Sequence, residues 1–260
     1  MTAVAIAGHA VLTLSLLLQS PQGDAEEIAA RLQSGEALWW AQRPREALTE
    51  FEAALALDSA NYEARWKAAR SAIKMGELAA DGSDEKLAWY HEAERHARRA
   101  VSVNPEDGQG HAFVAASLGY IALGQSPKAK VEMSREVREE ALRALALDPS
   151  NDVAHHVLGR WHAEILRLSG FTRTFAKLFL GADVFGEASW SRAAEHLRRA
   201  IELNPEHINH HLELARIYED MNETELARRE YQAVLDLPRT DVMDAVRKEK
   251  ATARLAELQT

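Results

Sequence analysis

The chain has 260 residues, of which 47% are hydrophobic and 27% charged, so it is long enough to bury a substantial core. Its 31 Lys and Arg residues against 40 Asp and Glu residues give a formal net charge of −9, which argues against nucleic-acid binding, since that normally requires a basic face. The chain has no cysteine, which excludes disulfides, thiolate catalysis and cysteine-ligated zinc sites.

The N-terminal segment, residues 1–23, differs from the rest of the chain. An apolar run over residues 10–18 fits the hydrophobic region of a secretory signal peptide and is too short to span a bilayer. The polar stretch QSPQG, residues 19–23, follows it, although no Lys or Arg precedes it. We expect export to the periplasm or envelope with cleavage within residues 20–23; the alternatives are an ordinary first helix or frayed end, and a cytoplasmic location.

Beyond residue 24 the chain contains internal repeats. Each repeat places small and apolar residues at the end of a helix, followed by Asp or Asn and by Pro or Ser, which stop the helix. The full copies are ALALDSAN (54–61), AVSVNPED (100–107), ALALDPSN (144–151) and AIELNPEH (200–207). AVLDLP (233–238) is a shifted fifth copy.

This pattern resembles the tetratricopeptide repeat, a helix pair of about 34 residues that stacks into a right-handed superhelix. The anchor alanines lie 46, 44, 56 and 33 residues apart, so several helices are longer than the family norm or loops are inserted. We predict an all-α, tetratricopeptide-like right-handed superhelix of about five helix pairs over 24–239. It has extended helices, an inserted helix after the first helix of the fourth repeat, and a C-terminal capping helix over 240–260.

The histidines of the chain form two clusters, HHVLGRWH (155–162) and HINHH (207–211). Counted from the proline of each repeat signature, His111, His155 and His211 occupy the same position, which predicts a packing position rather than metal ligands. Neighbours such as His155 and His156 point to different faces of a helix, and only His207 and His211 are expected to share one.

HEAERH, residues 91–96, resembles the HExxH motif of zinc peptidases. Its second histidine is one residue late, which turns it off the shared helix face. The chain also lacks a complete dinucleotide fingerprint, a phosphate loop and a nucleophile elbow. We therefore expect no catalytic, cofactor-binding or metal-binding residues, and a protein that is not an enzyme.

The concave groove is the predicted binding surface. In tetratricopeptide arrays, positions two, five, nine and twelve of each first helix face inward. That register assigns the groove to Trp66, Arg70, His156, Arg160, Leu212 and Arg216. Arginine at the ninth position of three repeats suits the carboxylates of a protein or peptide partner. Alternatively, each arginine pairs with a nearby acid such as Glu63, Glu164 or Glu213.

The long interval between the third and fourth signatures contains a phenylalanine-rich insertion, residues 168–190. Phe171, Phe175 and Phe179 recur every four residues, with Phe185 close by, which predicts a short amphipathic helix. The helix either packs on the flank of the array or serves as a lid over the groove, a docking face for a partner helix or an anchor on a membrane surface.

The segments HHVLGRWHAEILRLSGFTRTFAKLFLG (155–181) and SRAAEHLRRAIELNPEHINHHLELARIYEDMNETELARREYQAVLDLP (191–238) resemble the regulator of microtubule dynamics family. The resemblance rests on LGRW (158–161), the insertion after it, and the final Leu237–Pro238 pair. It implies a divergent tetratricopeptide interaction domain and, for the eukaryotic members, association with microtubules and organelle membranes.

We therefore expect a non-enzymatic scaffold that binds a partner peptide or helix in its concave groove, without cofactor or nucleic acid. The alternatives are an assembly or membrane-associated protein that uses residues 168–190 as its contact, or a microtubule-associated role as the resemblance implies.

Overall fold

The computed structural model describes residues 21–168 and 186–258, and within these ranges it contains eleven α-helices and no β-strand. The helices are α1 Pro21–Trp40, α2 Pro44–Leu57, α3 Tyr62–Leu78, α4 Asp84–Val103, α5 Gly108–Leu123, α6 Pro127–Leu147, α7 Asp152–Arg167, α8 Trp190–Leu203, α9 Ile208–Asp220, α10 Thr224–Asp236 and α11 Asp244–Glu257.

The helices pack as five successive pairs, from α1 with α2 to α9 with α10, and α11 packs on the last pair. The first helices of successive repeats also contact one another, α1 with α3, α3 with α5, α5 with α7 and α7 with α9. These contacts place the odd-numbered helices along one side of a superhelix. The prediction of an all-α, tetratricopeptide-like superhelix is thus confirmed.

The repeat signature ends one helix and starts the next. In the first copy, the backbone N–H of Asp58 donates to the carbonyl of Ala54 at 3.0 Å, and the side chain of Asn61 accepts from the N–H of Ala64 at 2.9 Å. The capping side chain satisfies one of the unpaired N–H groups at the helix start. The anchor alanines Ala54, Ala100, Ala144 and Ala200 are completely buried, which explains why the signature needs a small residue there.

The intervals of 46 and 44 residues between the first three signatures come from long helices. The second helices α4 and α6 have 20 and 21 residues, whereas α2 has 14. Helix α6 begins at Pro127, after Ser126, whose hydroxyl accepts from the N–H of Ala129. The extended helices predicted from the sequence are therefore present.

Two predicted segments fall on residues outside the described ranges. These are the apolar export segment within residues 1–20 and most of the inserted segment 168–190, with Phe171, Phe175, Phe179 and Phe185. Helix α1 begins at Pro21 and so includes residues 21–23. The final helix α11 lies within the segment 240–260 that was predicted to form a capping helix.

The LGRW motif fixes the packing of the fourth repeat. A Cβ at Gly159 would lie 2.7 Å from Cγ of Leu197, so this glycine permits α7 and α8 to approach closely. Trp161 is 5% exposed and its indole N–H donates to the carbonyl of Ser134 at 2.7 Å. Between them, Arg160 points toward the concave side. The motif thus combines a close helix contact, a packed aromatic and a groove residue.

Candidate binding groove

The concave side of the superhelix contains a cavity of about 560 Å³. Helical spacing brings Trp66, Arg70, Ile73 and Glu77 of α3 to its wall, together with residues of α5 and α7. Its aromatic lining consists of Trp39, Trp40, Trp66, Phe113, Tyr120 and Trp161. The rings of Trp66 and Phe113 are stacked with centroids 5.8 Å apart. This wall offers apolar contact surface in a concave site, as ligand sites commonly do.

Four of the six residues predicted to face the groove line this cavity, namely Trp66, Arg70, His156 and Arg160. Leu212 and Arg216 line a second, adjoining cavity of about 990 Å³. Glu77, Tyr120, Arg160 and Arg247 line both cavities and therefore lie between them. The register derived from the sequence thus places all six residues on the concave side, but in two compartments.

Arg70 is held between an acid and two aromatic rings. Its Nη2 atom donates to Oε2 of Glu36 at 2.9 Å, and its guanidinium carbon lies 4.1 Å from the ring centroid of Trp39 and 5.4 Å from that of Trp66. Burial raises the pKa of the Glu36 carboxyl, but Arg70 and Lys67 outweigh burial and lower it. The Nε atom of Arg70 is buried and has no hydrogen-bond partner among the described residues.

Arg160 lies over Tyr120, with its guanidinium carbon 5.6 Å from the ring centroid. Its Nε atom is 3.8 Å from Oε2 of Glu213, which is an ion pair but not a hydrogen bond. Glu213 is 6% exposed and accepts a hydrogen bond from Arg216 at 3.0 Å. Within the described ranges, the buried Nε of Arg160 has no hydrogen-bond acceptor.

The sequence suggested three acids as partners of the groove arginines, and one of the three has this role in the structure. Glu213 pairs with both Arg160 and Arg216. Glu63 instead pairs with Lys67 at 2.7 Å, and Glu164 with Arg167 at 2.8 Å. The partner of Arg70 is Glu36 on α1, which no local spacing in the sequence indicates. Each arginine therefore has an acidic neighbour and still lines a cavity.

A buried network of five charged residues links α3 to the C-terminal end of the chain, and we call it the bridge network. Its members are Lys74, Glu77, Asp241, Asp244 and Arg247. Lys74 lies 2.6 Å from Asp241, while Arg247 lies 3.0 Å from Glu77 and 3.0 Å from Asp244. The network holds α11 against α3 and limits the groove on one side.

Three histidines that line the groove form a cluster with Asp152. The Nε2 atom of His210 is 3.1 Å from Oδ2 of Asp152, and its Nδ1 atom is 2.9 Å from Nδ1 of His156. Since the carboxylate can only accept, His210 carries its proton on Nε2 and accepts from His156 at Nδ1. Burial lowers the pKa of both imidazoles, and the pKa of Asp152 falls to about 2 despite burial because His210 and Asn204 bond to it.

The expectation that His207 and His211 share a helix face is wrong. His207 is the N-cap residue of α9, and its ring lies 4.2 Å from that of His210 instead. His211 bonds to Glu230 and to the carbonyl of Pro205. Because His156 and His210 come from different repeats, only the superhelical register could have indicated their contact.

The repeat position that His111, His155 and His211 occupy makes the same contact in three repeats. Each Nε2 atom lies 3.0–3.3 Å from the carbonyl oxygen of the proline six residues earlier. Each Nδ1 atom faces a polar side chain on the second helix of its pair, at 2.6 Å for Glu140 and 3.0 Å for His196. The position is therefore a hydrogen-bonding position that ties the signature turn to the second helix.

None of the helices in the described ranges combines the length and the apolar character needed to cross a membrane. Solved structures share the fold. A thermophilic TPR protein of Thermus thermophilus superposes with a TM-score of 0.62 and 20% identity, over 87% of this chain and 99% of that one. Pseudomonas aeruginosa pilF superposes with a TM-score of 0.51 and 14% identity, over 91% and 88%.

Curated relatives share the name regulator of microtubule dynamics protein. The Pongo abelii protein 1 is 23% identical over 148 residues, which are 57% of this chain and 46% of the relative. The Bos taurus protein 3 is 28% identical over 137 residues, which are 51% and 29%. The matches thus span about half or less of the relatives' length.

The sequence profile described as "Regulator of microtubule dynamics protein 1-3" matches residues 32–259. That range includes every helix from α2 to α11 and the LGRW motif. The chain therefore belongs to the regulator of microtubule dynamics family.

Proposed function

We propose that the protein is a non-enzymatic scaffold whose concave groove binds a carboxylate-bearing segment of a partner protein. The observation that carries this proposal is that Arg70 and Arg160 line one cavity, and that the buried Nε atom of each has no hydrogen-bond acceptor among the described residues. A buried donor without an acceptor is destabilising, and a carboxylate is the acceptor that guanidinium groups bind best.

The aromatic wall provides the second part of the binding surface. Trp66, Phe113 and Trp161 come from three successive first helices and line the same cavity. Apolar side chains of a bound segment would contact these rings while its carboxylates meet the arginines. Leu212 and Arg216 extend the proposed surface into the second cavity.

Peptides selected from a random phage-displayed library on the full chain test this proposal. We expect the selected sequences to be enriched in Asp and Glu next to large apolar residues. Fluorescence anisotropy then compares one selected peptide with its Asn- and Gln-substituted counterpart on wild type, Arg160→Gln and Arg199→Gln. Arg199 lies on α8 with 48% of its side chain exposed, outside both groove cavities, and serves as the matched control.

The proposal predicts that neutralising the peptide weakens binding to wild type and to the Arg199 variant about tenfold, which is ~1.4 kcal/mol. The same neutralisation should weaken binding to Arg160→Gln by a smaller factor, because this variant has lost one of the two arginines that meet the carboxylates. Selected peptides that lack acidic residues would refute the proposal. An acidic peptide that binds Arg160→Gln as tightly as it binds wild type would also refute it.

A microtubule-associated role is the second candidate function, and the family match favours it. The groove arginines would supply positive charge for contact with a microtubule, because the surface of a microtubule is acidic. Co-sedimentation of wild type and an Arg70→Gln, Arg160→Gln double variant with purified microtubules tests it. Pelleting of wild type but not of the double variant supports this role, and equal behaviour of the two proteins opposes it.

A further inference from the structure

A second cluster of polar side chains lies away from the groove, on helices α2 and α4. Glu92 and His96 are one helical turn apart on α4, and Glu52 approaches them from α2. One ligand atom from each of the three residues lies within 4.8 Å of the other two. The cluster joins the second helices of the first two repeats.

His96 is the buried member of this cluster. It is 4% exposed, and its Nε2 atom has no hydrogen-bond partner among the described residues. Glu92 Oε1 is only 3.0 Å from Nε2, and Glu52 Oε1 is 3.9 Å away, yet neither oxygen meets the geometry that a hydrogen bond requires. A buried nitrogen thus faces two carboxylates without bonding to either.

That geometry suits ligands of one metal ion. Neighbouring ligand atoms on a tetrahedral ion ~2.1 Å from each lie ~3.4 Å apart. The distances of His96 Nε2 from Glu92 Oε1 and Glu52 Oε1, 3.0 and 3.9 Å, lie on either side of that separation. The Glu52 side chain is 50% exposed, so the cluster is open to solvent on that side and leaves room for water ligands.

The charges of the cluster also favour a cation. The carboxylates of Glu52 and Glu92 lie close to one another beside the imidazole of His96, so their negative charges repel. A divalent ion would offset that repulsion.

Two arginines border the cluster. Arg95 contacts Glu92, and Arg65 Nη1 lies 3.4 Å from Nδ1 of His96 while its other nitrogens bond to the carbonyl of Ser59. Since arginine only donates, Nδ1 is the acceptor in the metal-free protein and the imidazole proton is on Nε2. Metal binding at Nε2 moves that proton to Nδ1, and Arg65 keeps its bonds to Ser59.

We propose that Glu52, Glu92 and His96 bind a divalent transition-metal ion of the Zn²⁺ class and so link α2 to α4. One imidazole and two carboxylates match the nitrogen and oxygen ligands of Zn²⁺, whereas Mg²⁺ and Ca²⁺ prefer oxygen ligands alone. The pair on α4 is Glu92 with His96, spaced by four residues. His91, the other histidine of HEAERH, is 55% exposed at the side chain and bonds to Glu94 instead.

The test is a titration of the EDTA-treated full chain with ZnCl₂ by isothermal calorimetry, together with the melting temperature with and without ZnCl₂. The variants are Glu52→Gln, His96→Gln and the control His91→Gln. Because Glu52 is half exposed, its substitution leaves the fold intact even if His96→Gln does not fold. Circular dichroism of each variant without metal verifies this.

We expect one tight site in wild type and in His91→Gln, and an at least tenfold weaker site in Glu52→Gln. Zn²⁺ should raise the melting temperature of the first two proteins but not of the third, since an ion that binds only the folded state stabilises it. Zinc binding by Glu52→Gln as in wild type, no tight site in wild type, or an equal rise with MgCl₂ would overturn the proposal.

Discussion

At the scale of single residues, histidine serves two different purposes in this chain. His111 connects the signature carbonyl of Pro105 to Glu140 on the next helix, and the equivalent histidines of two further repeats do the same. His156 and His210 instead contact each other between neighbouring first helices, on the wall of the groove. The residue type recurs because an imidazole can bond at both nitrogens while it packs between helices.

Replacing His111 with Ala should lower the free energy of unfolding by about 1–3 kcal/mol, because it leaves two partly buried partners without their hydrogen bonds. His91→Ala, on an exposed face of α4, should change it by less than ~0.5 kcal/mol. Urea denaturation of both variants provides the comparison. Equal effects would show that the signature contact contributes nothing specific.

The groove histidines also predict a dependence of stability on pH. Burial lowers the pKa of His156 and His210 in the folded protein, so the unfolded chain binds more protons below its usual histidine pKa of about 6.5. The melting temperature should therefore fall as the pH decreases from about 7.5 to about 5. We expect a shallower fall for His156→Gln and a wild-type slope for His91→Gln. A steeper fall for His156→Gln would contradict the sign of this effect.

At the scale of helices, close approach within a repeat depends on small residues. Gly159 of α7 leaves no room for a Cβ, which would lie 2.7 Å from Leu197 Cγ and 3.1 Å from the carbonyl oxygen of Ala193. A Cβ added to Gly119 of α5 would meet open space, with no atom of the described residues within 4 Å. The two glycines therefore differ in packing although both are helical.

The substitutions Gly159→Ala and Gly119→Ala should shift stability in opposite directions. The first forces α7 and α8 apart and should destabilise by about 1–3 kcal/mol. The second should stabilise by ~0.5–1 kcal/mol, since alanine favours a helix over glycine. Thermal unfolding of the two variants measures the difference. A stabilising Gly159→Ala would contradict the close contact of α7 with α8.

At the scale of the whole molecule, the superhelix is held by contacts between residues far apart in sequence. Arg247 bonds to Glu77 across 170 residues, and Gln42 donates to the carbonyl of Arg239 across 197. A buried ion pair such as that of Arg247 with Glu77 is poor evidence for stability, but the removal of one partner strongly destabilises the folded protein. The bridge network thus sets how the last helix closes the groove.

Arg247→Met should lower the free energy of unfolding by about 3 kcal/mol or more, because Glu77, Asp241 and Asp244 lose their shared buried cation. Lys250→Gln, on the exposed face of α11, should change it by less than ~0.5 kcal/mol. Urea denaturation compares the two variants. A neutral Arg247→Met would mean that α11 does not depend on the bridge network.

The sequence could predict features that depend on residues close to one another in the chain, such as helix ends and helix faces. The signatures predicted that Asp58 ends α2, and the register predicted that Trp66 and Arg160 face inward. Sequence patterns contain no information on pairs such as Lys74 with Asp241, because superhelical curvature decides which distant residues meet. For the same reason the spacing of HEAERH, which predicted no metal site, could not indicate that Glu52 of another repeat meets His96.

The cavity of the concave side is where we propose that the partner segment binds, and the six tryptophans of the chain allow a direct measurement. Trp39, Trp40, Trp66 and Trp161 line this cavity, while Trp89 and Trp190 do not. Assigned indole N–H signals in ¹⁵N-labelled protein can be followed by NMR during titration with a selected acidic peptide. We expect shifts of the Trp39 and Trp66 signals and unchanged signals of Trp89 and Trp190. Shifts confined to Trp89 and Trp190 would contradict binding in the groove.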